Sequence, residues 1–165
     1  MKAGVAAAGL LASILALAGC SSTSLSSKVP AAFATRMNGV CATNLAQYPI
    51  VGAFPYSNFN PDDPSASQLP TVGAYFAQNQ RGTGSLESAI NALGEPSTGA
   101  SSWNKVKTLA FSFLSNATTQ KNDALASNVN GFVAAVKQNQ TITNQLKAAA
   151  MQAGISITGA CATEF

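Results

Sequence analysis

Residues 102–136 read SWNKVKTLAFSFLSNATTQKNDALASNVNGFVAAV, and the spacing of their apolar side chains decides the fold class. Trp103, Val106, Ala110 and Phe113 recur at intervals of three and four, and Leu109 and Leu114 widen the stripe. An α-helix turns once in about 3.6 residues, so this stripe is one face of a helix, and its width assigns it to a core. Residues 115–123 are polar yet contain neither Gly nor Pro. They are read either as a turn or as the middle of one long helix. Leu125, Val129, Phe132, Val133 and Val136 then supply a second strong apolar face.

The pattern extends both ways from this stretch. Downstream, Ile142, Leu146 and Ala149 predict a helix from about Thr141 to Gln152, stopped by Gly154. Ile155 to Thr158 alternates, and a brief extended piece is expected there. Upstream, Pro70 opens a helical stretch with Leu69, Val72, Tyr75 and Phe76, ending toward Gly82. Another short helix is expected with Ser85 as cap, Glu87 in its first turn where the helix dipole favours an acid, and Gly94 and Pro96 as its stop. Ser102 is the expected cap of the longer helix. The fold class is therefore all-α, a small bundle of four or five helices.

An extended loop precedes the bundle. Residues 47–64 hold four prolines, Pro49, Pro55, Pro61 and Pro64, and four aromatics, Tyr48, Phe54, Tyr56 and Phe59. Prolines at that density exclude a helix. The aromatics either pack onto the body or form a contact surface, which makes them the candidate partner-binding residues. Asp62 and Asp63 before Pro64 read as a helix cap or as solvated acids.

Composition bounds the chemistry. At 165 residues a single domain is expected, and with 47% hydrophobic and 9% charged residues the chain is not of the disordered class. The net charge of +3 is spread over isolated Lys and Arg, with no dense basic face for nucleic acid. The absence of histidine removes the commonest general base and metal ligand. Ser102-Trp103-Asn104-Lys105 matches S-x-x-K, but the chain lacks the S-D-N and K-T-G elements that accompany it in serine enzymes. Glu87 and Glu95 show no sign of a glycosidase pair, and Gly82 to Ser85 lacks the Lys of a phosphate loop. No enzyme activity, cofactor or metal is expected.

The N-terminus carries an address. Residues 3–18 are apolar and uncharged after Lys2, a signal-peptide pattern too short to span a bilayer comfortably. The run ends in Leu17-Ala18-Gly19-Cys20, which closely resembles the lipobox of bacterial lipoproteins. The resemblance covers only these first residues and implies cleavage before Cys20, with acyl chains on its sulfur and its freed amine. More than one chain is what makes such an anchor stable. Ser21, the residue after the cysteine, is compatible with the outer membrane in a Gram-negative cell; otherwise the expected place is the outer face of the cell membrane. Five of the seven residues from 21 to 27 are serine. The expected organisation is a signal peptide over 1–19, a lipidated Cys20 and tether over 20–35, and a helical domain over 36–165.

With Cys20 acylated in an oxidising compartment, Cys41 and Cys161 remain as an even pair, and a disulfide between them is the simplest assignment. It would join the two ends of the domain. The short echo of Cys41-Ala42-Thr43 in Cys161-Ala162-Thr163 is taken as chance. The functional expectation is a membrane-anchored, noncatalytic binding or assembly module of the envelope with a protein partner; inhibitor or immunity lipoproteins are one special case. The alternative is a carrier of a small apolar, lipid-like ligand in a pocket between helices.

Overall fold

The structure, a computed structural model, describes residues 27–165. Cys20, the signal segment and residues 21–26 of the expected tether lie outside the described residues. Among those described, the chain is all helical with no strand: α1 (Ala31–Gln47), α2 (Leu69–Asn79), α3 (Thr83–Ala92), α4 (Ala100–Leu125), α5 (Val129–Ala153) and the single turn α6 (Ala160–Glu164). The expected helical bundle and end-to-end disulfide are present. No described helix is long and apolar enough to cross a membrane.

The open question about residues 102–136 resolves into two helices, but not with a break in the polar stretch. α4 runs straight through residues 115–123, and the chain turns at Ala126 to Asn128. Asn128 caps α5 by accepting from the Gly131 N–H at 3.1 Å. Within the polar stretch the inward-facing amides, Asn116 and Gln120, are paired with α5. Asn116, buried against α5, donates from Nδ2 to the Ala135 carbonyl and to Asn139 Oδ1, both at 2.7 Å. At about 1.5 Å per residue the 26 residues of α4 form a rod of about 39 Å, paired along its length with α5. The separately expected helix over 141–152 is the second half of α5.

The sequence reading also misplaced several boundaries. Residues 31–35, assigned to the tether, are the first turns of α1, whose buried positions Phe33, Met37, Cys41 and Asn44 follow at intervals of four and three. Val29 is buried, and its N–H donates to the Ala153 carbonyl at 2.9 Å, so the chain is docked onto the body before α1 begins. Ser85 and Ser102 lie inside their helices: α3 starts after Gly82 and α4 after Gly99. Glu87 is consequently not in the first turn of α3. Gly99 has φ 71°, and a Cβ there would come within 2.6 Å of the Lys28 backbone, so only glycine admits this close approach. Asp62 and Asp63 sit in turns well ahead of α2 and cap nothing; α2 has Pro70 in its first turn, as expected. Ile155 to Thr158 forms no strand.

Two cores fill the bundle. The larger joins Phe33, Met37, Leu86, Ile90, Trp103, Val106, Leu146 and Ile155 from α1, α3, α4, α5 and the tail. Trp103 is fully buried, meets Phe33 edge-on at 4.9 Å, and donates its indole N–H to the Gly94 carbonyl at 3.0 Å. The smaller core, Leu69, Val72, Ala124, Phe132 and Val136, lies where α2 packs on the α4–α5 pair. The Cys41–Cys161 disulfide fastens α6 to α1 across 120 residues of sequence.

Candidate functional site

The loop between α1 and α2 is held by side chains rather than by secondary structure. Asn79 near the end of α2 accepts from the Val51 N–H at 2.7 Å and donates to the Tyr75 carbonyl at 3.0 Å. Its aromatics divide between two roles. Phe59 meets Phe132 edge-on at 5.9 Å, and Phe59 and Tyr56 are half-buried against the smaller core. Phe54 packs on Phe59 at 5.4 Å and on Tyr75 at 5.3 Å but keeps 38% of its surface exposed. Tyr48, half-buried at the end of α1, lies against Gly82. The four expected contact residues are thus not one surface. The exposed apolar surface of the loop is Ile50, Val51 and Phe54, with Ile50 at 52% exposure.

Beside that loop lies a cleft of about 280 Å³ among α1, α2, α4, α5 and α6. The rings of Tyr48, Tyr75, Phe76 and Phe113 line it together with Asn44, Gln80 and Glu164. Among the described residues no Lys or Arg contributes to its walls. Gly82 lets α1 close the cleft, since a Cβ there would fall 2.7 Å from the Tyr48 ring and 2.8 Å from Asn44 Nδ2.

The polar groups of the cleft have fixed orientations. Asn44, only 5% exposed, donates from Nδ2 to Glu164 Oε1 at 3.0 Å, which leaves its Oδ1 as an acceptor. Gln80 donates from Nε2 to the Ala117 carbonyl at 3.2 Å, which leaves its Oε1 as an acceptor. Neither oxygen meets a donor among the described residues, although both are buried. These two oxygens, like Asn38 Oδ1 on α1, have almost no accessible surface, so they lie behind the walls of the cleft rather than opening into it. Further along, Asn116, Asn139 and Gln120 form an amide chain, with Asn139 donating to Gln120 Oε1 at 3.0 Å.

Sequence reasoning singled out none of Asn44, Gln80 and Glu164 for this role. Asn44 and Glu164 each directly follow one copy of the repeated tripeptide. Cys41 and Asn44 lie one turn apart, as do Cys161 and Glu164, so one side-by-side pairing of the two turns brings both couples together. The seam between the first helix and the last is made by the Cys41–Cys161 bond and by Asn44 on Glu164, while Ala42, Thr43, Ala162 and Thr163 are exposed. Elsewhere, Ser102 and Lys105 occupy the start of α4, the first half-buried and the second exposed. Among the described residues no cluster of His, Cys, Asp and Glu is suited to a metal. Comparison of the chain with family models, with curated proteins and with solved structures found no match.

Proposed function

We propose that the chain is a lipid-anchored, noncatalytic binding module of the bacterial envelope that presents its contact face away from the membrane. The address rests on Leu17-Ala18-Gly19-Cys20, with Cys20 as the acylated residue, and on the serine-rich segment that follows it. The observation that carries the functional reading is the placement of the exposed loop. The chain docks onto the body at Val29 and Pro30, and α1 then runs about 21 Å from Pro30 to Asn44 at about 1.5 Å per residue. Ile50, Val51, Phe54 and the cleft are therefore at the far end from the point where the anchor segment enters. Three exposed apolar side chains on a loop whose Val51 backbone is pinned by Asn79 are suited to a protein partner, because their solvation cost is recovered on contact.

A photoreactive residue at position 50, and separately at position 151, tests this in intact cells. Met151, 77% exposed, lies at the end of α5 nearest Val29. Position 50 should yield one discrete crosslinked species and position 151 none. Palmitate labelling should be lost with Cys20→Ser. Equal crosslinking at both positions, or labelling that survives the substitution, would overturn the reading.

The carrier alternative is supported less well. A cleft of about 280 Å³ sits at the bottom of the range for small-molecule sites, and its amide groups suit a compact polar ligand better than an acyl chain.

A further inference from the structure

We propose that the end of the bundle where the chain enters rests on anionic phospholipid head groups, with Lys147 and Met151 as contact residues. This rests on the reading of the chain as lipid-anchored at Cys20, and it names the surface that holds the molecule upright while Ile50, Val51 and Phe54 face away.

Reach brings this end to the bilayer. Lys28 is the eighth residue after Cys20, and eight residues span at most about 29 Å, less than the length of α4. The Val29 N–H donates to the Ala153 carbonyl, Thr98 donates to the Lys28 carbonyl at 3.2 Å, and Gly99 lies against the Lys28 backbone. The start of α1, the start of α4 and the end of α5 therefore meet where the anchor segment arrives.

Charge divides along the same axis. Lys28, Arg36, Lys105, Lys107 and Lys147 lie at or within about two turns of those three helix ends. The acids on that side are Glu95, which accepts from Asn104 at 3.3 Å, and Glu87 midway along α3. Toward the other end, Asp62 and Asp63 in the loop that packs on Phe132, Asp123 at the α4–α5 turn and Glu164 on Asn44 outnumber Arg81, Lys121 and Lys137. The bundle is thus positive where the anchor enters and weakly negative beyond, the polarity that an anionic surface orients. Attraction of a base to such a surface fades within about 8 Å at physiological salt, so only the near end feels it.

Lys147 and Met151 are one turn apart on α5 and both are exposed, Met151 at 77%. With Gly154 and Ile157 they rim a shallow hollow at that end. An ammonium beside an apolar side chain suits the boundary between phosphates and acyl chains, where the charge stays with the head groups and the apolar chain is buried. An anionic wall polymer would match the lysines but offers no apolar phase for Met151.

The test uses the chain acylated at Cys20, with a photoreactive residue at position 151 or at position 50, reconstituted in vesicles of phosphatidylcholine alone or of equimolar phosphatidylcholine and phosphatidylglycerol. Mass spectrometry of the irradiated protein measures lipid adducts. In the anionic vesicles position 151 should give at least about tenfold more adduct than position 50, and several-fold more than in phosphatidylcholine alone. Lys105→Ala with Lys147→Ala should cut that yield at least about fivefold at an unchanged melting temperature, since both side chains are exposed. A phospholipid adduct brings no protein with it, so position 151 still forms no protein crosslink in cells. Equal adduct at the two positions, or a yield indifferent to phosphatidylglycerol and to the lysine pair, would overturn the docking while leaving palmitate labelling to decide the anchor. Adducts to a wall glycan in place of phospholipid, when position 151 is irradiated in cells, would overturn it too and assign the face to that polymer.

Discussion

Cutting the Cys41–Cys161 bond with Cys41→Ala and Cys161→Ala together should cost more stability than any single core truncation. The bond spans 120 residues of sequence, and the chain-entropy relation for a loop of that size gives about 16 cal/mol/K, or about 5 kcal/mol near room temperature. A domain of this kind has about 5–15 kcal/mol in total. Both sulfurs are buried, at 0% and 3% exposure for the two residues, and alanine leaves no polar atom in their place, so the packing change adds to the loss rather than masking it. With a urea slope of about 2 kcal/mol per molar, the unfolding midpoint should fall by about 2–3 M. The slope itself should rise, because the unfolded chain without the cross-link exposes more surface. Circular dichroism in a urea series on oxidised wild type and the double variant reads both quantities. A midpoint shift below about 0.5 M at an unchanged slope would refute the reasoning, since it would mean that the unfolded chain already keeps its two ends together.

Two further outcomes follow from particular contacts. Gly99→Ala should destabilise by more than about 1 kcal/mol, because it combines a positive φ with a Cβ placed 2.6 Å from the Lys28 backbone; a thermal midpoint equal to wild type would show that residues 28–30 are not docked there. Phe132→Ala should cost about 3–5 kcal/mol, while Phe54→Ala should cost about 1 kcal/mol, since Phe132 is fully buried beneath Phe59 and Phe76 and Phe54 keeps 38% of its surface in solvent. Similar losses for the two in denaturant titration would make Phe54 a core residue.

The helical periodicity around Trp103, Val106, Ala110 and around Phe132 and Val136 was legible because those residues bury apolar surface at helical spacing. The continuity of α4 was not, since it depends on Asn116 finding the Ala135 carbonyl and Asn139 on another helix. α1 was hidden for a different reason. Its stripe is sparse, it includes the polar Asn44, and its first turns follow a serine-rich run without an N-cap side chain. The helix starts were misread because Gly82 and Gly99 were chosen by tertiary closeness to Tyr48 and Lys28, which outweighs the local preference for serine caps. Of the cleft, sequence singled out Tyr48 as a candidate contact residue and Tyr75, Phe76 and Phe113 as apolar helix positions, but none of its amides. The orphaned oxygens of Asn44 and Gln80 are set by partners 120 and 37 positions away.

The clasp between the first and last helices also fixes how the molecule bears load. On the proposed reading, tension from an N-terminal anchor would enter through Val29 and pass along α1 to Asn44 and the neighbouring loop. Residues between Cys41 and Cys161 form a closed covalent ring, so pulling on the two chain ends can pay out only the segments outside it. Pulled by its two ends, the chain would give way only before Cys41 and after Cys161, and the helices inside the ring are shielded from being unravelled end to end.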